Sequence, residues 1–192
     1  IEIESLAAGG DEDHIRVATY AVIDTLETLC GTAFELSVRL SGWDLISVLI
    51  EIQPHIDQLI SLTKFSLEDK YRKVLYYKFK HGEFCATAYQ QIGDVDSFIS
   101  SLEETLLVWN EMHDLKFYGY GRGVQYADPY AEGIAVMWQL GIQLCQRQQY
   151  IDGLDLFHRA SVLQEEIWPL GKLHRWPLDI KDTFISLNKD AL

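Results

Sequence analysis

The histidines of this chain, the residues that a metal or acid–base site uses most often, are dispersed along the sequence. None of the six has another histidine three or four residues away, and neither an HExxH nor a CxxC motif occurs. They are His14, His55, His81, His113, His158 and His174. We therefore expect no metal site and no cofactor.

The cysteines and the glycine-rich stretch also favour structure over catalysis. Cys30, Cys85 and Cys145 lie far apart in apolar helical patterns. We therefore interpret them as reduced, buried thiols of an intracellular protein. The GYGRG stretch at 119–123 lacks the Lys-Ser/Thr pair of a phosphate-binding loop. The sequence predicts no catalytic residues, and we expect that the protein is not an enzyme.

The most unusual local composition is a basic, tyrosine-rich strip at residues 64–84, KFSLEDKYRKVLYYKFKHGEF. Helical spacing places its main side chains on two faces, one with Lys70, Lys73 and Tyr77, the other with Arg72, Tyr76, Lys80 and Glu83. Tyrosines supply contact area and cations steer association, so the strip predicts a dock for an acidic or phosphorylated peptide. The alternative is intramolecular, with the cations paired to neighbouring carboxylates and the aromatic rings packed between helices.

Helices must position these residues, because apolar residues recur at helical spacing and strand signals are nearly absent. The predicted helices cover residues 14–40, 43–62, 66–91, 94–112, 132–148, 152–168 and 178–188. Gly93 is expected to end one helix and Asp94 to cap the next. Pro54 should kink or restart the second helix, since it lacks a backbone amide. The predicted fold class is all-α.

We expect a flexible lead-in at residues 1–12 and a single helical domain over 13–192. Residues 113–130 lose periodicity and predict a long loop between hairpins. In this loop Tyr120 and Arg122 are candidate contacts for a partner, because aromatic and arginine side chains are frequent interface anchors. Alternatively, the loop folds back over a groove and its tyrosines fill gaps.

Two stretches, 84–110 and 137–164, can be laid over each other. In each, a small residue, Ala86 or Gly141, lies seven positions before a turn, and a large residue, Leu102 or Phe157, lies nine after it. Small residues at such positions let paired helices approach closely. Together with Gly153, this pattern resembles the tetratricopeptide repeat (TPR), a 34-residue helix–turn–helix family of protein-binding solenoids. The two small residues are 55 positions apart, which implies an insertion between the units.

The resemblance implies stacked antiparallel helical hairpins, closed by a C-terminal capping helix, that present a groove to a ligand. The positions that the family would turn toward the ligand are Lys80, Glu83, Thr87, Gln90 and Gln91 in the first unit and Ala135, Trp138, Ile142, Cys145 and Gln146 in the second. Only Lys80 agrees with the family's carboxylate clamp. A mixed groove, basic at one end and apolar around Trp138, is expected instead.

The sequence therefore predicts a non-catalytic scaffold module that binds a protein or peptide, which we expect to be acidic or phosphorylated. One alternative is a subunit-packing or self-association module of a larger complex. Another is a helical bundle that encloses a small apolar ligand between residues such as Trp138 and Phe157. A net charge of -13 and a pI near 4.7 argue against nucleic acid and anionic membrane as partners. We expect the protein in the cytoplasm or nucleus.

Overall fold

The computed structural model describes residues 12–64, 68–115 and 129–167. Within these residues the chain forms six α-helices and no strand. The helices are α1 (Glu12–Ser37), α2 (Gly42–Thr63), α3 (Glu68–Ile92), α4 (Val95–Asp114), α5 (Pro129–Gln146) and α6 (Tyr150–Ile167). They pack sequentially as adjacent antiparallel pairs, which confirms the predicted all-α class and the antiparallel pairing of neighbouring helices.

The described helices form two compact units, α1–α4 and α5–α6. The expected capping helix at 178–188 lies outside the described residues, as do most of the lead-in and most of the loop at 113–130. The single-domain organisation of residues 13–192 stays a prediction.

One core cluster of the α1–α4 unit lies where α1, α2 and α3 meet. Its buried side chains are Ile23, Leu26 and Cys30 of α1, Ile52, Ile56 and Leu59 of α2, and Val74 and Tyr77 of α3. A second cluster, Leu45, Ile46, Leu49 and Ala88, joins α2 to α3 near the other end of α3. Helix α3 contacts α1, α2 and α4, so it is the central helix of this unit.

Helix α2 runs unbroken through Pro54, so the helix does not restart there. Proline removes one backbone hydrogen bond from a helix interior. Ile52 and Ile56, on either side of it, are both buried in the same core, and this packing holds the two halves of the helix together.

The same backbone turn ends α3 and α5. Gly93 has φ +78° and Gln148 has φ +65°, both in the left-handed region. In the first turn the Gly93 and Asp94 amides donate to the Gln90 and Tyr89 carbonyls, and in the second the Gln148 and Gln149 amides donate to the Cys145 and Leu144 carbonyls. This pattern is the Schellman motif, and its position confirms both predicted turns.

The turn between α1 and α2 lies beside the turn between α3 and α4. The Gly42 backbone amide donates to Oε1 of Gln91, at 2.7 Å. A side chain near the end of α3 thereby satisfies an amide at the start of α2 that has no partner within its own helix.

Glycines lie at tight contacts between the helices of the α3–α4 and α5–α6 pairs. A Cβ added to Gly141 would lie 2.5 Å from the Phe157 ring, and one added to Gly153 would lie 2.8 Å from the Gly141 carbonyl oxygen. This confirms that both glycines bring α5 and α6 together. In the α3–α4 pair the equivalent contact is at Gly82, whose added Cβ would lie 2.1 Å from Thr105 Oγ1. Gly82 thus serves as a packing position within an unbroken helix.

Candidate functional site

A groove follows α3 between α2 and α4. It consists of three adjoining depressions of about 260, 470 and 230 Å³, and His81 lines all three. The floor is one row of α3 side chains that includes Tyr71, Leu75, Lys78, Cys85 and Tyr89. From residue 71 to residue 89 this row extends roughly 27 Å, at about 1.5 Å per residue. The length suits a segment of about eight residues if it is extended, at about 3.3 Å per residue.

The α2 wall of the groove is mainly apolar at one end, whereas the groove is charged in the middle and at the other end. Near Tyr89 its wall is formed by Ile46, Leu49, Ile50 and Pro54 of α2. Toward Tyr71, α2 contributes Asp57 and its C-cap residue, Lys64, whereas α4 contributes Glu104, Leu107 and Glu111.

Two large apolar side chains stand exposed on opposite walls. Ile50 of α2 is 65 % exposed and Leu107 of α4 is 67 % exposed. Single exposed apolar residues are common on protein surfaces, but a pair that faces a cleft from both sides forms a surface that a partner can cover.

At the centre of the groove His81 connects α3 to α2. Its Nε2–H donates to the carbonyl oxygen of Leu49, at 2.9 Å, because a carbonyl can only accept. Burial lowers the pKa of His81, against the opposing effects of the Leu49 hydrogen bond and of the Asp57 and Glu104 carboxylates. The imidazole is therefore neutral at pH 7, with its proton on Nε2.

Cys85 lies one turn along α3, with its Sγ 3.7 Å from Nδ1 of His81. Burial, and secondarily the Glu104 carboxylate, raises the pKa of the Cys85 thiol to about 12. A nucleophilic cysteine needs the opposite shift, since the thiolate is the reactive form. The pair therefore supplies a packing contact with a weak S–H···N interaction and no activated nucleophile.

Nothing in the described part of the chain is arranged to hold a metal ion. Within residues 12–64, 68–115 and 129–167, no group of three or more His, Cys, Asp or Glu side chains is suitably placed. All three cysteines are free thiols; Cys30 is buried, whereas Cys85 and Cys145 are half-buried.

The first two lysines of the basic strip within α3 bind to carboxylates of α1. Lys70 Nζ lies 2.6 Å from Asp24 Oδ1, and Lys73 Nζ lies 2.7 Å from Glu27 Oε2. Burial disfavours the charge of Lys73, but the hydrogen bonds and negative charge of Glu27 and Tyr77 together outweigh this, and the pKa of Lys73 is raised. These two cations stabilise the contact between α1 and α3.

The remaining lysines of the strip within α3 have carboxylate partners as well. Lys78 lines the groove with its Nζ 3.7 Å from Asp57 Oδ1. Lys80 Nζ lies 2.6 Å from Glu83 Oε2, one turn along the same helix.

The tyrosines of the strip divide between the core and the surface. Tyr77 is buried against Phe34, with ring centroids 5.8 Å apart. The Tyr71 hydroxyl donates to Glu111, and burial followed by this hydrogen bond raises the pKa of Tyr71. Tyr76 is half-buried under the Lys80 ammonium, 5.9 Å from the ring centroid.

Six of the predicted site residues form one outward row of α3, which we call the outer row. Its members, all partly or fully exposed, are Arg72, Tyr76, Lys80, Glu83, Thr87 and Gln90. A helix turns about 100° per residue, so Cys85 and Thr87, two positions apart, point to nearly opposite sides. The outer row and the groove therefore lie on different faces of α3.

The other predicted site residues do not join this helix face. Trp138 belongs to the α5–α6 unit, is only 3 % exposed, and stacks on Phe157 with ring centroids 4.8 Å apart. That distance leaves no room for a ligand between the two rings. Tyr120 and Arg122 lie outside the described residues.

Sequence reasoning did not select the residues that define the groove, namely His81, Cys85, Glu104, Ile50 and Leu107. One signal was present: residues 71, 75, 78, 82, 85 and 89 recur at spacings of three and four, which marks a single face of α3.

Comparisons with other proteins add no family to this description. No family model, no curated protein and no solved structure matches the chain. Among the described helices, none combines the length and apolar character that crossing a membrane requires. The chain is thus characterised by its own geometry, an all-helical protein whose helices pack as sequential antiparallel pairs.

Proposed function

We propose that this chain is a non-catalytic protein-interaction module and that the groove along α3 receives a segment of the partner. The observation that carries the proposal is the groove itself, a cleft with Ile50 and Leu107 exposed on its two walls. Covering such side chains removes apolar area from water, which contributes about 25 cal/mol per Å² to association before its entropic costs.

The chemistry inside the groove supports binding rather than catalysis. A neutral His81 and a protonated Cys85 provide hydrogen-bonding and packing surface, whereas acyl or group transfer would need an activated nucleophile.

We also propose that the hairpins are TPR-like. The turns at Gly93 and Gln148 fall where the two sequence stretches align, and Ala86, Gly141 and Gly153 are all buried. Solenoids built from such hairpins commonly use their extended surfaces to bind other proteins. The proposed groove lies on a different face of α3 from the ligand positions that the family resemblance implied.

Site-specific photo-crosslinking tests the proposal. A photoreactive phenylalanine analogue is placed at Leu107, on the groove wall, or at Val17, an equally exposed apolar position of α1. We expect a native-extract protein to crosslink at position 107 and not at position 17. The purified partner should then bind the wild-type chain, and Leu107→Asp should weaken the Kd by about tenfold or more.

Equal crosslinking at both positions, or an unchanged Kd for Leu107→Asp, would contradict the proposal. Leu107 is exposed, so its substitution leaves the core intact, and circular dichroism checks that helicity is kept.

A second candidate binding surface is the outer row of α3, with an acidic or phosphorylated partner. The specific observation in its favour is that Lys80 lies over the Tyr76 ring, 5.9 Å from its centroid, and that Arg72 precedes them at helical spacing in the same partly exposed row. A partner anion there would compete with Glu83 for Lys80.

Charge reversal separates the two surfaces. Lys80→Glu should abolish capture of an acidic partner by the outer row, and it should leave binding in the groove within about threefold, because exposed charges act weakly over a distance. If Leu107→Asp abolishes binding and Lys80→Glu does not, the outer row is eliminated.

A further inference from the structure

The groove has two distinct binding environments next to each other. At the Tyr89 end, a depression of about 260 Å³ is walled mainly by apolar side chains, among them Ile46, Leu49, Ile50 and Pro54. It has the character of a pocket for one large apolar side chain. On the α4 side, Glu104 lines both of the other depressions.

Glu104 is the groove carboxylate that remains for a partner. Asp57 has the Lys78 ammonium 3.7 Å away, and Glu111 accepts the Tyr71 hydroxyl. Among the described residues Glu104 has no ion-pair partner, and the adjacent His81 is neutral and does not compensate its charge.

Like the Glu104 carboxylate, the net charge of the whole chain favours a cationic partner. A net charge of -13 attracts cationic segments and repels anionic ones, including a second copy of the chain. The groove itself has three carboxylates, Asp57, Glu104 and Glu111, against two ammonium groups, Lys64 and Lys78.

We infer that the groove binds a cationic segment, with one large apolar side chain in the pocket at Ile50 and a Lys or Arg beside Glu104. The inference rests on the proposed function, because it names the chemistry of the segment that the groove receives. The apolar anchor supplies most of the affinity, and the cation fixes the position and direction of the segment.

The test uses a phage-displayed library of random twelve-residue peptides, selected on the full wild-type chain at 0.15 M salt. We expect the selected peptides to carry a large apolar residue and a Lys or Arg at a constant spacing. One selected peptide is then synthesised with a fluorescent label, and its Kd is measured by fluorescence anisotropy.

Two charge-reversal variants separate local contact from general attraction. Glu104→Lys and Glu103→Lys change the net charge equally, and both positions are exposed on α4, but Glu103 lines none of the three depressions. We expect Glu104→Lys to weaken the Kd by about tenfold and Glu103→Lys by no more than about threefold. Equal weakening, or a selection of acidic or uncharged peptides, would overturn the inference.

Two apolar variants show which proposal fails. If Ile50→Asn and Leu107→Asn weaken binding by about tenfold while Glu104→Lys acts no more than Glu103→Lys, the proposed function stands and only the cationic inference fails. If neither apolar variant matters, or no peptide is selected, both fail. If the chain dimerises in analytical ultracentrifugation and Ile50→Asn dissociates the dimer, the occupant is a second copy and the inference is overturned. Val17→Asn is the control for a change of exposed apolar area elsewhere in the same unit.

Discussion

The α3–α4 and α5–α6 hairpins make the same turn from different residues. Gly93-Asp94 makes the first turn and Gln148-Gln149 the second, yet both have a residue in the left-handed region and the same two backbone hydrogen bonds. Glycine adopts this conformation without strain, whereas a residue with a Cβ is disfavoured by about 1–2 kcal/mol. Helix packing around the second turn must therefore impose a geometry that its sequence does not favour.

Within each hairpin, glycines make a close contact between the two helices, but at different distances from the turn. In α5–α6 the contact at Gly141 and Gly153 lies close to the turn, and backbone meets backbone. In α3–α4 the contact at Gly82 lies about one helical turn farther from the hairpin turn. There the glycine meets the side chain of Thr105. The first kind of contact cannot adjust to a larger residue, but the second can, because a side chain can be shortened.

The largest effect is expected at Gly153. In Gly153→Ala the new Cβ would lie 2.8 Å from the Gly141 carbonyl oxygen, so α5 and α6 must separate, and we expect a loss of about 3 kcal/mol in the free energy of unfolding. The matched control is Gly31→Ala in α1, where an added Cβ meets nothing within 4 Å. There we expect a gain of about 0.5–1 kcal/mol, since alanine is the better helix former. Urea denaturation followed by circular dichroism measures both; an equal effect would refute the close contact.

Gly82→Ala should be milder and should be rescued by a second substitution. The clash is with Thr105 Oγ1, so we expect a loss of about 1–2 kcal/mol in the wild-type background and less than about 0.5 kcal/mol in a Thr105→Ala background. For Gly153→Ala, Cys145→Ala should give no comparable rescue, because the Gly141 oxygen still blocks the Cβ. A double-mutant cycle at each site, measured by urea denaturation, makes the comparison. Additive effects at Gly82 and Thr105 would contradict the assignment.

The strained turn predicts a stabilising substitution. Gln148→Gly relieves the left-handed conformation and should raise the free energy of unfolding by about 1 kcal/mol, whereas Gly93→Gln should lower it by a similar amount. Gln139→Gly, the same change at an exposed position inside α5, should be destabilising by about 0.5–1 kcal/mol. Thermal unfolding compares the three variants. The same sign for Gln148→Gly and Gln139→Gly would show that strain at the turn is absent.

The smallest effect is a pH dependence that only the first turn has. The Asp94 carboxylate caps α4, and its hydrogen bonds from the Ser97 side chain and backbone amide lower its pKa. A lowered folded-state pKa stabilises the protein fully above the ordinary value of about 3.9, and the stabilisation is lost as the pH falls through the lowered pKa. The difference in unfolding free energy between the wild type and Asp94→Asn should therefore shrink from pH 6 to pH 3. Gln149→Asn, at the matching position of the second turn, should change the free energy of unfolding by the same amount at both pH values.

Much of the fold follows from local sequence signals. Apolar spacing located all six described helices, and Gly93 with Asp94 gave both the end of α3 and the cap of α4. The turn at Gln148 was located only by aligning two stretches, because glutamine does not itself favour positive φ. A restart of the helix, one of the two outcomes predicted at Pro54, does not occur, because burial of Ile52 and Ile56 outweighs the loss of one hydrogen bond.

The candidate site was much less accessible from the sequence. The composition of residues 64–84 correctly marked α3 as unusual, but it does not say which face of α3 meets α1 and which lies between α2 and α4. That choice depends on carboxylates distant in sequence: Asp24 and Glu27 bind Lys70 and Lys73, and the groove forms on another face. Exposure of Ile50 and Leu107 likewise depends on helix positions that no short pattern encodes.

The hydrogen bond from the Gly42 amide to Gln91 has a consequence for how the α1–α4 unit opens. Fraying of the last turn of α3 withdraws the acceptor from the first turn of α2, so local loss of structure at one element is transmitted to an element 49 residues earlier. Amide protons at both ends should therefore exchange with deuterium at one shared rate, and Gln91→Ala should let the start of α2 exchange faster and independently.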